Sequence, residues 1–396
     1  MKLAHLADLH LGFRQYTRLT PQGINQREAD VARAFRSALD GVIEAKPDVI
    51  VLAGDVFDSV RPPNPAILDA FNQFRRLRGA LPQVPVIILA GDHDTPRSIE
   101  TGTILKLFEA IPNTHVMSRE VQTLEFEALE LAVTGVPAAA LLATGGGVRV
   151  APVKHVRWNV RVQHSRIAGM LPGDDVVAEH GGVLVEPGDL QAERWNYIAL
   201  GHYHVAQAVR PNAWFSGALE YVTRNPWREI AEGDRTRRGH KGWLLVDLQK
   251  DGVDVAFHAV PLARKHMDLE PIHAQGLEAE DIDRLIAKRV DGVKGGIDEQ
   301  VVRQLVYDVP RHILRDLNHA KIREYKTRAL HFRFDPRRPE PVRQVGIGVP
   351  GRRQTLPELL DEYLANRPLP ADVDRDALIS LGRKYLNEVE SDIAET

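Results

Sequence analysis

The 396-residue sequence contains no cysteine. That absence excludes disulfides, thiolate zinc sites, iron–sulfur clusters and a cysteine nucleophile. A charge of one sign is also missing: 51 basic against 54 acidic residues leave a formal net charge of −3, which does not advertise a nucleic-acid binder. Nor is there a long apolar run. The least polar stretch, Leu131 to Gly147, is broken by Gly135, Pro137 and Gly145-Gly146-Gly147, and reads as strand, turn and loop rather than a membrane span. Asp8 falls where a secretion signal would need its apolar core, so a cytoplasmic protein without membrane association is expected. What is plentiful is histidine, at 16 residues. A metal site in this chain must therefore use His, Asp, Glu and Asn, a nitrogen and oxygen shell that suits Mn, Fe, Mg or Zn.

The length accommodates two to three structural units, each able to bury a core without staples. Short runs rich in Val, Ile and Leu recur at Leu3 to Ala7, Val49 to Ala53, Val84 to Ala90, Leu129 to Thr134, Asn159 to Val162, Tyr197 to Leu200 and Leu244 to Leu248. Such runs suit strands buried on both faces of a layered sheet. Between the early ones, Arg27 to Ala45 repeats Val31, Phe35, Leu39 and Val42 at helical spacing, which places Arg27, Asp30, Arg33 and Arg36 on its wet face. The alternation predicts α/β layering over residues 1–265. Residues 266–336 change texture: a helix from Ala279 to Val290, a strand from Gln300 to Val309, a helix from Ile313 to Lys326 and a strand from Ala329 to Phe334 make a small α+β unit. Residues 337–354, rich in Pro, Gly and Arg, read as a linker. Residues 355–396 carry two amphipathic helices, the first opened by the capping box Thr355-Leu356-Pro357-Glu358.

Polar residues fall at the ends of the apolar runs. The first ends in Asp8-Leu9-His10, the second in Gly54-Asp55-Val56-Phe57-Asp58, the third in Gly91-Asp92-His93-Asp94; later runs end in His164 and in Gly201-His202-Tyr203-His204. In an open α/β sheet the carboxyl ends of strands line the binding crevice. A pair of divalent metals needs a bridging carboxylate surrounded by neutral or anionic ligands, and Asp8, His10, Asp55, Asp92, His164, His202 and His204 supply that set. A hydroxide between the metals would attack phosphorus while both ions absorb the developing charge.

The series Asp8-x-His10, Gly54-Asp55-x-x-Asp58, Gly91-Asp92-His93-Asp94, His164 and Gly201-His202-x-His204 resembles the calcineurin-like metallophosphoesterase superfamily. Within it, Ala4-His5-Leu6-Ala7-Asp8-Leu9-His10-Leu11-Gly12, Phe215-Ser216-Gly217-Ala218 and Lys241-Gly242-Trp243 are similar to the SbcD-type DNA-repair nucleases. The resemblance implies a four-layer sandwich, two sheets flanked by helices, with a DNA-binding capping domain and a C-terminal helix pair. It implies that Asp8, His10 and His204 hold one metal, that Asp92, His164 and His202 hold the other, and that Asp55 bridges. His93 would assist the leaving oxygen, with Asp94 orienting its ring. Asp58 is left between a helix cap and support for the site. The family usually has Asn where this chain has Asp92, so the shell carries one more negative charge; tighter metal binding and weaker Lewis acidity follow.

A DNA nuclease should leave a local basic footprint. Arg14 and Arg18 follow the first motif, Arg97 the third, and Arg224, Arg228, Arg237 and Arg238, near Trp227 and Lys241, form a later cluster. The resemblance further implies two Mn2+ ions, a homodimer, and docking of the C-terminal helices on an SMC-like coiled-coil ATPase. A stand-alone phosphoesterase of nucleotides or phosphoproteins, and a weakly active scaffold, remain as alternatives.

Overall fold

The computed structural model describes residues 1–96, 98, 102–170, 182–236, 241–339, 356–367, 369 and 373–394. Strands β1 (Lys2–Leu6), β2 (Val49–Ala53), β3 (Val86–Leu89) and β4 (Thr114–Met117) open the chain, with helices α1 (Gln26–Ala45) and α2 (Asn64–Ala80) between the first three. Then come β5 (Gln122–Phe126), β6 (Leu131–Val136), α3 (Ala138–Thr144) and β7 (Trp158–His164). A short pair, β8 (Arg166–Ile167) and β9 (Leu184–Val185), precedes β10 (Tyr197–Gly201), β11 (Gln207–Arg210) and β12 (Ala213–Phe215). Helix α4 (Pro226–Thr236) leads to the hairpin β13 (Gly242–Gln249) and β14 (Gly252–Ala259).

Two six-stranded sheets result, in the orders β14-β13-β1-β2-β3-β4 and β11-β12-β10-β7-β6-β5. The strand period of two divides their side chains between faces. Leu3, Val49, Val51, Ile87 and Leu89 of the first sheet meet Leu131, Val133, Val160, Val162 and Ala199 of the second in one core. On the outer face of the first sheet, Ala4, Leu6, Ile50 and Ile88 pack under Val31, Phe35, Leu39 and Val42 of α1 and Phe74 and Leu77 of α2. Burying each large side chain of that face contributes about 1.5–3 kcal/mol. On the outer face of the second sheet, Ile198, Leu200 and Phe215 pack with Leu141 of α3, so helix, sheet, sheet and helix make the expected four layers.

The wet face expected for α1 is only partly wet. Arg27 and Asp30 are buried. Arg27 pairs with Asp30 at 3.0 Å and Glu220 at 3.2 Å, and Arg264 reaches the same Asp30 oxygen at 2.9 Å. The N-terminal turn of α1, whose Arg27 N–H is capped by Asn25, therefore lies under chain segments that the helix's own periodicity does not reveal.

After β14, a second core forms around the parallel sheet β15 (His266–His273), β16 (Val301–Tyr307) and β17 (His331–Pro336). Helices α5 (Ala279–Asp291), α6 (Arg311–Asp316) and α7 (His319–Arg328) complete it. The single helix expected from Ile313 to Lys326 is two: Leu317 is extended, and Asn318 accepts from the Lys321 N–H to start the next. This small α+β unit, the expected capping domain, belongs to the same compact body, Met1–Arg338. It is joined to the first domain by Tyr16 stacked on His331 at 4.1 Å, and by Trp227 packed with Val301 and Leu330.

Pro339–Thr396 forms a separate unit. It holds α8 (Leu356–Asn366) and α9 (Arg375–Ala394), which pack on each other where Leu360 lies against Gly382. The expected capping-box residue Thr355 lies outside the described residues. No helix among the described residues is long and apolar enough to cross a membrane.

Candidate metal centre

Every proposed ligand sits at or just beyond the carboxyl end of a parallel strand. Asp8 and His10 follow β1, Asp55 follows β2, Asp92 follows β3, His164 ends β7, and His202 and His204 follow β10. The chain turns sharply at these ends. Asp8, His10, Asp55 and His202 all adopt positive φ, at 52°, 45°, 51° and 117°. A non-glycine residue held there costs about 1–3 kcal/mol and persists only where surroundings over-determine it. Here the backbone bonds Asp8 N–H to Gly54 O and His10 N–H to Asp55 O, both 3.0 Å, fix the turns. Gly54, at φ +98°, and Gly91 sit directly beneath the ligands: a Cβ on the first would collide with the His164 ring, and one on the second with the Asp55 carboxylate.

Asp8, His10 and His204 bring one donor atom each to a common point, as do Asp92, His164 and His202; Asp55 joins both neighbourhoods through His10 and His164. Asp55 Oδ2 lies 3.7 Å from His10 Nε2 and 3.3 Å from His164 Nε2. His10 Nε2 and His204 Nε2 face each other at 3.2 Å. The other ring nitrogens are tied down: His10 Nδ1 to Asp58 at 3.2 Å, and His164 Nδ1 to the Ala53 carbonyl at 2.8 Å. His164 Nε2 is buried without a hydrogen-bond partner. That orphaned nitrogen, and the two imidazole nitrogens pointed at one another, fit a cation-binding site whose donors are nitrogen and oxygen.

The electrostatics agree. Burial, only partly offset by His164, pushes the Asp8 carboxyl up to about 8. Burial would lower His164, but Asp55 and Asp92 outweigh it and hold the imidazolium well above its ordinary range. Burial also opposes the charge on Asp55, yet His164, His10 and His93 keep it ionised. Three carboxylates, two of them buried, thus hold protons on Asp8 and His164 as counter-ions. Divalent cations would replace those protons.

Residues 1–259 match the family model for calcineurin-like phosphoesterases. The chain belongs to the calcineurin-like phosphoesterase family. It is accordingly a metal-dependent phosphoesterase. Curated relatives named DNA double-strand break repair protein Mre11 are similar over longer or shorter stretches. The one from Sulfolobus acidocaldarius is 26% identical over 338 residues, 84% of this chain and 82% of the relative. The one from Methanocaldococcus jannaschii is 26% identical over 263 residues, 65% of each chain. A solved dimetal phosphatase from Danio rerio, 10% identical, aligns with a TM-score of 0.36 over 65% of this chain and 96% of its own.

Around the proposed ligands, one expectation needs correction. Asp94 does not orient the His93 ring. Its carboxylate accepts the backbone N–H groups of Val56, Phe57 and Gly91 at 3.0, 3.0 and 3.1 Å, so both oxygens hold the β2 and β3 turns together. His93 Nδ1 instead lies 2.7 Å from the Asp58 carbonyl, and the His93 N–H donates to Asp55 Oδ1 at 2.9 Å. Asp58 therefore serves two histidines, one through its side chain and one through its backbone. The Asp55-x-x-Asp58 spacing was the signal for that role.

The basic residues divide. Arg14, Arg224 and Arg228 are exposed. Arg14 Nε donates to Glu28 at 2.6 Å and Arg228 Nε to Glu232 at 3.0 Å. Arg18, expected at phosphate, is instead committed to the capping unit: it pairs with Glu299 and donates to the Thr327 carbonyl at 2.8 Å. Lys241 and Trp227 leave the expected basic cluster altogether, because both are buried. Arg97, Arg237 and Arg238 lie outside the described residues. Sequence reasoning missed Glu229, a buried carboxylate beside His204; its only signal was an acidic residue on the otherwise apolar inner face of a short helix.

Proposed function

We propose that this phosphoesterase is a DNA nuclease of double-strand-break repair, hydrolysing phosphodiesters at DNA ends with two Mn2+ ions. The supporting observation is the extent of the likeness to the relative from Sulfolobus acidocaldarius. It runs over 338 residues, well past the 259-residue phosphoesterase match, and so takes in much of the capping unit that a small-substrate phosphatase would not need.

Asp8, His10 and His204 would hold one ion, Asp92, His164 and His202 the second, with Asp55 shared. When bound, the ions supply Lewis acidity to the phosphoryl oxygens and lower the pKa of water. The chain supplies the rest. His93 stands edge-on to His10, with ring centres 4.7 Å apart, and its Nδ1–H is directed to the Asp58 carbonyl. Burial disfavours its charge, but the Asp55 carboxylate and the Asp58 carbonyl outweigh that and raise it above its ordinary value. A protonated His93 at this place delivers its Nε2 proton to the departing oxygen as the P–O bond breaks, and Asp55, by fixing the His93 backbone, sets where that proton lies.

DNA would lie across the rim near Arg14, Arg224 and Arg228. The C-terminal unit exposes Leu359, Tyr363, Leu381 and Tyr385. An apolar stripe of that kind suits helix-in-groove docking on an SMC-like coiled-coil ATPase, in a homodimeric cytoplasmic assembly. The test is Mn2+-dependent digestion of linear duplex and single-stranded DNA beside a panel of nucleotides and phosphopeptides. DNA should be degraded, and His93→Ala should slow it by about 10²–10⁴ while metal binding persists. Hydrolysis of phosphomonoesters with DNA left intact would sink the reading.

A further inference from the structure

We infer that Glu229, held by Lys241, is a positioning residue for His204, fixing which ring nitrogen that histidine offers to a metal. Glu229 projects from α4, the helix that precedes β13, and is buried. Its Oε1 lies 3.6 Å from His204 Nδ1 and accepts the Thr223 N–H at 3.0 Å. Its Oε2 pairs with the Lys241 ammonium. Lys241 Nζ in turn donates to the His204 carbonyl at 2.8 Å and lies 4.7 Å from the centre of the Tyr221 ring. The pair thus meets His204 twice, at the imidazole through a carboxylate placed 3.6 Å from Nδ1 and at the backbone through the hydrogen bond of the ammonium.

A carboxylate facing Nδ1 favours the single proton of a neutral imidazole on that nitrogen and leaves the Nε2 lone pair free. His204 Nε2 is the nitrogen that faces His10. His10 and His164 show the same division, with Nδ1 tied to an oxygen acceptor and Nε2 turned inward. A buried Lys–Glu pair returns little net stability once both charges are desolvated. Holding His204 gives this one a use.

The inference rests on His204 being a metal ligand, so the full chain is titrated with Mn2+ first by calorimetry, with two equivalents expected. Glu229→Gln should weaken one of the two by about 10–100-fold and leave the other unchanged. In the double variant E229Q/K241M, which removes the stranded ammonium, the weakened equivalent should stay weak. Parent-like affinity in Glu229→Gln, or its return in the double variant, overturns the inference while leaving the metal centre standing. A parent that binds no Mn2+ overturns both. Should the variants not fold, the metal-free parent decides. Nitrogen-15 histidine spectra should show His204 protonated at Nδ1, and protonation at Nε2 overturns the assignment.

Discussion

Asp92 Oδ2 lies 3.0 Å from His202 Nδ1 and 3.5 Å from His164 Nε2, so a single oxygen faces two imidazoles from the opposite sheet. Burial pushes this carboxyl up, but the facing imidazoles of His164 and His202 bring it down to about 2. It is therefore anionic at any working pH. An Asn here would place a neutral oxygen in the same position.

Asp92→Asn should accordingly weaken Mn2+ binding by about tenfold, near 1.4 kcal/mol, and raise turnover on DNA, because the remaining shell quenches less of the ions' charge. Calorimetric titration and single-turnover digestion measure the two effects. Unchanged affinity and unchanged rate would mean that the extra charge at residue 92 has no consequence.

Asp94→Ala should act on the fold. It strands three buried N–H groups that now meet an anionic acceptor, and bonds to charged groups are worth about 1.5–3 kcal/mol each. A loss of about 3 kcal/mol or more in urea unfolding is expected. A variant of parental stability whose kcat alone falls would show that Asp94 works on His93 after all.

His5 should make the phosphoesterase domain acid-sensitive. Its imidazole is buried in the sheet interface, with Nδ1 2.9 Å from Tyr197 Oη. Burial pulls it from its ordinary 6.5 down to about 3, against a smaller upward pull from the Leu200 backbone. The unfolded chain therefore binds this proton at higher pH than the folded one. Stability from this group is complete above about 6.5. It falls by up to about 1.4 kcal/mol per pH unit below that, until the folded group itself titrates. His5→Phe should flatten the decline in urea midpoint between pH 6 and pH 4, and parallel profiles for variant and parent would refute the assignment.

The central strands were legible because burial on both faces makes them continuous apolar runs: β2 and β3 are buried at every position. The edges were not. In β5, β11 and β14 half-buried and exposed positions alternate or mix with polar residues, and no run marks them. The ligands stood out as polar residues placed where apolar runs stop. Asp94 stood in the same kind of place, yet its partners Val56 and Phe57 belong to a different turn, and a motif read along the chain cannot say which neighbour a carboxylate will meet. Lys241 and Trp227 misled for a related reason. Both look like parts of a basic, aromatic surface loop; packing against Val301 and Leu330 puts Trp227 inside, and Glu229, the His204 carbonyl and Tyr221 enclose Lys241.

Each candidate ion site draws from both sheets. Asp8 and His10 follow a strand of the first while His204 follows one of the second; Asp92 belongs to the first while His164 and His202 belong to the second. An ion in either place is thus a rivet through the sandwich, and its binding energy is also docking energy for the two halves. The last donor is residue 204, so during synthesis neither rivet can be set until β1 to β10 have emerged and strands of the two sheets have met, with β11 to β14 still to be added. Metal uptake would then report that strands from both halves have come together, ahead of the rest of the body.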